Sequence, residues 1–506
     1  MRKGYQALCN FINGKSVSLI GAGVSNVPLV AYLYECGAKS VTVRDLKKTE
    51  SDPEILTVLE NGGAVVLGEN YLENMEDDVI IRSPGIRPDL PQFLKAVEHG
   101  SYLTCETELF LQFVSCKTVA ITGSDGKTTT TTLTAKMLEQ NGYRVFLGGN
   151  IGKSMLPQLK EINERNCISV MELSSFQLMN CRFSPDICVI TNLSENHLDW
   201  HRGMDEYLDA KKNILNHQNS TGRAVLNLDN EHTAVCKTNG TCCYFTYSPE
   251  CAKQVNESVF CDGSKIYYRK DGCEQFILST EDIILPGKHN VENFMAAIAA
   301  VKELVDAEDI LQIAKTFGGV EHRIELCRIL DGVKYYNSSI DSSPSRSTAC
   351  LHAFQKKIIM IAGGYDKNLD YTALGDEICK HVKVLILCGA TSAKIKKAVL
   401  GSELYSSEAI KIIESPDFDS TAKIAKDNAT HGDIVVLSPA SASFDEFSGY
   451  EERGDRFVEF VRAIQMENER ESQEKAGDVC VEADSLETRE CVKPSYESEN
   501  RLGELE

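Results

Sequence analysis

The stretch AITGSDGKTTTTT, residues 120–132, sets a strand-like apolar run before a glycine turn and then Gly126-Lys127-Thr128. That order suits a phosphate cradle. Backbone N–H groups of such a turn can surround phosphate oxygens, Lys127 can reach β- and γ-phosphates, and Thr128 can ligate Mg2+. The common phosphate loop, G-x-x-x-x-G-K-[ST], asks for glycine at 121, where this chain has Ile121. The loop is therefore either a degenerate match or a nucleotide-binding loop of another class. Threonine is a mediocre helix-interior residue. The run from Thr128 to Thr132 is better explained by phosphate and cap contacts than by propensity.

Two further strand ends collect polar residues. MELSSFQ places Glu172 directly after the apolar CISV, where a desolvated carboxylate needs a cation to compensate it. ITNLSENHLDWH places Asn192, His197 and Asp199 just past the next strand, beside the only tryptophan, Trp200. YLDAKKNIL reads as a helix with Lys211 in apolar company; a solvated helix lysine is the plain alternative. PGKHNVENFMAAIAAVKEL (286–304) has Phe294, Ala297, Ile298, Val301 and Leu304 at packed-helix spacing. Asn290 in its first turn suits a cap, whereas Asn293 lies too deep for one. Arg323 would suit a phosphate clamp.

Near the start, GAGVSN follows a strand and opens a helix, and Asp45 ends the next strand. This resembles a dinucleotide fingerprint, except that Asn26 replaces the third glycine. Three readings stand: an NAD site, a tight turn that binds nothing, or another nucleotide with its diphosphate at the helix N-terminus and Asp45 accepting from a base or sugar. RSPGI (82–86) ends another strand and could wall the same crevice.

The elements that must position these residues are short β-rich runs alternating with helical patterns. VSLIGAG, SVTVRD, AVVLG and VIIRSPG form one series. TVAITG, CISVMELS, ICVITNLS and AVLNLD form a second, and KIIMIAGG, VKVLILCG, IKIIES and DIVVLSPAS a third. Continuous apolar strands flanked by helices predict parallel sheets covered on both faces, with ligands outside the strands' carboxyl ends. The expected fold class is α/β in three domains: residues 1–116, 117–324 and 325–466. An acidic tail, 467–506, carries a net charge of −8 and is expected to be disordered.

At 506 residues the chain exceeds one core, and 42% hydrophobic residues suffice to bury several. A net charge of −21 argues against coating nucleic acid. No secretion signal or membrane span is evident. The nineteen cysteines contain no C-x-x-C pair and read as reduced thiols in a cytoplasm.

Taken together, these blocks resemble the Mur ligases, ATP-dependent amino-acid-adding enzymes of bacterial peptidoglycan synthesis. That family's loop is G-x-x-G-K-[ST], which Gly123-Ser124-Asp125-Gly126-Lys127-Thr128 fits without a glycine at 121. The resemblance runs from residue 15 to 460 and lies nearest the D-glutamate-adding members. Its marks are SPGI, GNIG (149–152), ELSSFQL, NLSENHLDWH, YNSSIDSSPSR (336–346), LSPASASFDEF and ERGDRF (452–457). The D-N-P-R signature of the diaminopimelate- or lysine-adding members is absent.

The resemblance implies a Rossmann-like first domain that binds the UDP precursor. Val24 and Ser25 would lie at the diphosphate turn, Asp45 near the uracil, and Ser83, Pro84 and Gly85 along the wall, with Asn150 and Gln177 reaching in from the central domain. It implies a central P-loop-type ATPase domain in which Gly123, Ser124, Asp125, Gly126, Lys127, Thr128 and Thr129 hold ATP. Lys127 and Arg323 would grip the γ-phosphate, and Asn293 would contact adenine. Thr128 and Glu172 would ligate one Mg2+; His197 and Lys211, carbamylated by CO2, would ligate or organise a second. Lys127, Glu172, His197 and Lys211 would be catalytic.

The C-terminal domain, also Rossmann-like, would hold D-glutamate through Lys367, Ser443 and the Tyr450 backbone, and its closure would exclude water. The implied substrates are UDP-N-acetylmuramoyl-L-alanine, D-glutamate and ATP, handled by a cytoplasmic monomer with no nucleic-acid or membrane partner. Two departures stand out. Ser338 replaces an expected aspartate, a nucleotide-ribose contact, so Asp341 either substitutes for it or the grip is weaker. Asp125 replaces the usual asparagine. The alternatives are another Mur-type ligase, a folylpolyglutamate synthetase, or a non-catalytic nucleotide or UDP-sugar sensor on the same fold.

Overall fold

The apolar runs become the strands of three sheets, and the polar residues that follow them collect at the strands' carboxyl ends. A computed structural model describes residues 4–23, 25–152, 154–162, 166–195, 200–285 and 287–464. Val24, His197, Asp199 and the acidic stretch from 467 lie outside the described residues. The chain divides into two units, Met1–Val320 and Glu321–Glu506.

The first unit holds two sheets. One has five parallel strands in the order Ala64–Leu67, Ser40–Asp45, Ser16–Ile20, Val79–Arg82, Tyr102–Thr104. The chain builds outward from Ser16–Ile20 on one side, then crosses to the other. The switch point therefore lies at the ends of Ser16–Ile20 and Val79–Arg82, where the GAG and SPG turns sit.

The other sheet has nine strands. Their order is Cys273–Ser279, Lys265–Lys270, Glu257–Asp262, Thr241–Thr246, Arg223–Asn227, Ile187–Ile190, Lys117–Thr122, Cys167–Glu172, Arg144–Gly149. Only the pairings of Lys265–Lys270 with its two neighbours are antiparallel. Their turns are Gly263-Ser264 and Asp271-Gly272, the latter with φ of 49° and 83°, as a two-residue hairpin requires.

A continuous core joins the two sheets and includes Val17, Ile81, Phe110, Leu156, Met171 and Leu226. The opposite face of the nine-stranded sheet buries Leu133 and Met137 of helix Lys127–Gln140 against Phe294 and Ile298 of helix Lys288–Val301. Polar ties add to this packing. Arg82 donates to the carbonyls of Phe176 and Met179 at 3.2 and 3.1 Å, and Arg182 Nε donates to Glu108 at 2.7 Å.

The second unit has one six-stranded sheet, in the order Glu325–Leu330, Val333–Asn337, Ile434–Leu437, Ile358–Ala362, Val382–Leu387, Lys411–Glu414. Only Glu325–Leu330 runs antiparallel to its neighbour. Buried clusters cover both of its faces. Among the described residues of either unit, no helix is long and apolar enough to cross a membrane.

Candidate active site

The phosphate loop connects strand Lys117–Thr122 to helix Lys127–Gln140. Gly126, at φ 75°, is the left-handed residue from which the helix starts, and a Cβ there would strike the Asn293 side-chain oxygen. Gly123, at φ 151°, lies too close to Thr191 for any side chain. The loop is held from outside. Ser124 N–H donates to the Asn192 carbonyl at 2.9 Å, Asp125 N–H to Asn192 Oδ1 at 2.9 Å, and Thr191 Oγ1 to the Asp125 carbonyl at 2.6 Å. Lys127 Nζ donates to the Ser124 carbonyl at 2.9 Å.

The threonine run divides in two. Thr128 and Thr129 are half-buried at the helix start, but Thr130 and Thr131 are fully buried. Thr130 Oγ1 donates to Asn293 at 3.3 Å, and Thr132 Oγ1 donates to the Thr128 carbonyl one turn back at 2.8 Å. Thr130 and Thr131 thus belong to the packing of the helix, with Thr131 Oγ1 buried and without a hydrogen-bond partner among the described residues, while Thr132 turns its hydroxyl back along the helix. Asn290 is not the cap; Gly287 is, and Asn290 Oδ1 accepts from Asn293 Nδ2 at 3.3 Å.

Glu172 ends the strand beside the loop strand, in register with Ile121. It is 1% exposed. Its Oε1 accepts from Asn150 Nδ2 at 2.7 Å, while Oε2 is buried without a hydrogen-bond partner among the described residues. A buried carboxylate oxygen with no donor is costly unless a cation meets it, and a carboxylate oxygen suits a hard divalent ion such as Mg2+.

Lys211, on helix Met204–Asn216, is 2% exposed and donates from Nζ to the Gly123 carbonyl at 2.7 Å. It is not a solvated helix lysine. Burial, helped by the positive charge of Lys127, lowers its amine to about 7, against the opposing pull of Glu172 and Asp125. Those four charges form one cluster, and a neutral amine is the form that can add CO2. His197 lies outside the described residues.

Beside the loop runs a polar cleft of about 580 Å3 lined by Asn192, Asp229, Tyr247, Lys288, His289 and Glu292. A smaller recess of about 150 Å3 continues it to Gly126, Phe245 and Asn293. Asn227, Asp229, Tyr247 and Glu292 were not picked out from the sequence. Asn227 and Asp229 end the strand AVLNLD, so the rule that found Glu172 would have found them.

At the first sheet's switch point Asn26 does what a third glycine could not. Buried, it donates from Nδ2 to the carbonyls of Ile20 and Gly21, both at 3.0 Å, and to Ser83 Oγ at 3.2 Å. It thereby ties the GAG turn to the SPG turn. Asp45 accepts backbone N–H bonds from Ala22, Lys47 and Lys48 at 2.8, 2.8 and 3.0 Å. Burial alone would raise its carboxyl, but these donors hold it below the ordinary carboxylate value. Ser25 and Pro84 are half-buried on the same rim. Gln177 is spent on a capping box with Ser174 and a 3.1 Å bond to Thr107.

The two turn systems are latched across the unit. Trp200 Nε1 donates to the Gly85 carbonyl at 3.0 Å, and the Arg87 guanidinium lies 5.0 Å from the Trp200 ring. Arg87 also grips Glu206 through two bonds, of 2.7 and 3.1 Å, and Asp89 through two of 2.9 Å. Arg87 was not singled out in the sequence.

In the second unit, Lys367 and Ser443 share the loops beyond strands Ile358–Ala362 and Ile434–Leu437. Tyr365 and Ala442 pair across those loops, and Lys367 Nζ lies 5.2 Å from the Phe444 ring. Ser443 is buried; Lys367 is exposed. The Tyr450 carbonyl accepts from Ser339 Oγ at 2.7 Å. Behind them sits Arg453, 2% exposed, which donates to Ser339 Oγ, the Ser339 carbonyl and the Ala442 carbonyl at 3.0, 2.9 and 2.8 Å. Ser338 is buried with its Oγ accepting from Ile324 N–H at 3.2 Å, and Asp341 accepts from Ser438 Oγ at 2.8 Å. Burial raises the Asp341 carboxyl. Arg323 is exposed, between His322 and Ile324 at φ of 61° and 46°; a β-branched residue in that region is strained.

Comparisons with known proteins place the chain in a family. The sequence model of the Mur ligase middle domain matches residues 121–301, and that of the Mur ligase glutamate ligase domain matches 322–441. The UDP-N-acetylmuramoylalanine--D-glutamate ligase of Acetivibrio thermocellus is 43% identical over 463 residues, covering 90% of this chain and 97% of that protein. The ligase of the same name from Clostridium beijerinckii is 42% identical over 468 residues, covering 92% and 100%. Among solved structures, a UDP-N-acetylmuramoyl-L-alanyl-D-glutamate--2,6-diaminopimelate ligase shares the fold, with a TM-score of 0.51, 16% identity and coverage of 90% and 94%. The chain belongs to the Mur ligase family, among its UDP-N-acetylmuramoylalanine--D-glutamate ligases.

Proposed function

We propose that this chain is an ATP-dependent ligase that joins D-glutamate to UDP-N-acetylmuramoyl-L-alanine in peptidoglycan synthesis. The observation that carries the reading is the cluster of Lys127, Glu172 and Lys211 at the strand ends behind the phosphate loop. ATP lies along the loop from Gly123 to Thr129, with its base in the polar cleft beside Asn293. The UDP precursor enters the switch-point crevice of the first sheet, along Ser25, Asp45 and Ser83 to Gly85. Asn150 and Gln177 back that crevice, the first by holding Glu172 and the second by fixing the turn at Ser174.

The muramoyl-alanine carboxylate attacks the γ-phosphorus, and ADP leaves. The Lys127 ammonium offsets negative charge gathering on the transferring phosphoryl group. The amine of D-glutamate then attacks the acyl-phosphate carbonyl, loses its proton, and phosphate departs from the tetrahedral intermediate as the amide forms. Thr128 and Glu172 would hold one Mg2+, with His197 and a carbamate of Lys211 organising a second. Such ions screen the triphosphate and polarise the phosphoryl oxygens. Arg323 supplies a further positive charge for phosphate, and Asp341 keeps the loop after Asn337 in place. Lys367, Ser443 and the Tyr450 backbone take D-glutamate. The enzyme works as a cytoplasmic monomer, where ATP and a nucleotide-activated sugar are both at hand.

ADP formation measured across a panel of amino acids tests this. It should require both the UDP precursor and D-glutamate. Turnover with neither, or a preference for another amino acid, overturns it.

A further inference from the structure

Helix Thr372–His381 of the second unit carries Glu377 and His381 four residues apart, and so on one face. The adjacent helix Pro344–His352 ends on His352. His352 Nε2 lies 2.6 Å from Glu377 Oε2, and His381 Nε2 lies 3.6 Å from the same oxygen. The two imidazoles are 5.1 Å apart between centroids, and all three ligand atoms lie within 4.8 Å of one another. None of these residues takes part in the ligase reading above.

We propose that His352, Glu377 and His381 form a binding site for a borderline divalent transition metal, foremost Zn2+, with solvent completing the coordination. Two imidazoles and one carboxylate are a zinc donor set, whereas Mg2+ and Ca2+ favour oxygen. Zinc bonds of about 2.0–2.2 Å place tetrahedral ligands about 3.3 Å apart. The observed 2.6 and 3.6 Å bracket that spacing for the two imidazole–carboxylate pairs, and the two imidazoles close on the ion by side-chain rotation from within 4.8 Å.

The backbone favours a cation as well. His352 and His381 are each the last residue of a helix, where unpaired carbonyls make the negative end of the helix dipole. Lys380 Nζ donates to Glu377 Oε1 at 2.8 Å. That bond turns Oε2 toward the imidazoles, as outer partners of metal ligands do, though its charge lowers affinity. Side-chain exposures of 55% for His352 and 29% for His381 leave an ion free to enter. A bound metal would staple the helix that follows the 338–343 loop to its neighbour.

The test is calorimetric titration of the full chain with Zn2+, comparing wild type with E377Q and with the double variant H352A/H381A. Exposed thiols such as Cys251 and Cys273 also bind zinc, so the readout is the difference. Wild type should take one more equivalent than either variant and gain several degrees of Tm with zinc that the variants do not. With Co2+, the extra equivalent should show ligand-field bands without thiolate charge transfer. Equal stoichiometry and affinity in all three proteins, or purely thiolate spectra, overturns the proposal. Should the double variant fail to fold, H352A at the exposed helix end gives the same comparison, with a tenfold or greater loss of affinity expected.

Discussion

Asn150 donates from Nδ2 to Glu172 Oε1 at 2.7 Å and from its backbone N–H to the Glu172 carbonyl at 2.7 Å, while Glu172 Oε2 is buried with no partner among the described residues. One half of the carboxylate is fixed and the other half is held ready. E172Q should therefore act in opposite directions on stability and on turnover. Removing a buried carboxylate oxygen that no donor among the described residues meets should stabilise the metal-free protein by about 1–3 kcal/mol. Loss of the anionic oxygen should lower kcat by about a hundredfold or more. Thermal melting without Mg2+, set beside steady-state rates, checks both; a destabilised E172Q with normal activity would sink the assignment.

Lys211 makes a pH-dependent prediction. Burial first, and then the charge of Lys127, bring its amine to about 7. The neutral form, which alone can add CO2, dominates above that pH and disappears below it. Protein equilibrated with 13C-bicarbonate should show a carbamate 13C resonance at pH 8 that fades towards pH 6 and is missing from K211A. A pH 8 spectrum identical in wild type and K211A refutes the carbamate.

The Arg87–Glu206 latch should matter to both affinity and acid stability. Arg87 foremost, against some burial, holds the Glu206 carboxyl at about 2, well below its ordinary value. A depressed carboxyl contributes stability above its unfolded value, near 4.5, and loses it as pH falls towards 2. Wild type should thus exceed R87A by about 1–3 kcal/mol at neutral pH, with the gap closing below pH 4.5. The KM for the UDP precursor should rise about tenfold, or 1.4 kcal/mol, because Trp200 and the Gly85 carbonyl lose their brace. The KM for D-glutamate should hardly move. Parallel rises in both constants would argue against a latch specific to the crevice.

Gly126→Ala combines two penalties: a side chain at φ 75° and a collision with Asn293. A loss of about 1–2 kcal/mol from the left-handed conformation, together with collapse of ATP binding, is expected by denaturant melts and nucleotide titration. Unimpaired nucleotide affinity in G126A would show that the loop does not cradle phosphate.

The amino-acid sequence by itself determined the three sheets, because continuous apolar β-branched runs declare double-faced burial without reference to any partner. It determined the phosphate loop as well, since a glycine turn and the lysine after it are neighbours in the chain. It also held a signal that went unread: Asp271-Gly272 between two β-rich runs marks the hairpin that extends the nine-stranded sheet. Only the tertiary structure decided that Asn26 ties two turns together, that Gln177 closes a cap, and that Thr130 and Thr131 are buried, the first against Asn293. It alone paired Arg87 with Glu206, 119 positions away, and left one oxygen of Glu172 without a donor among the described residues. Local spacing writes backbone geometry into the sequence. Contacts between distant residues have no period and leave no such trace, so hydrogen-bond satisfaction and burial emerge only when the chain is folded.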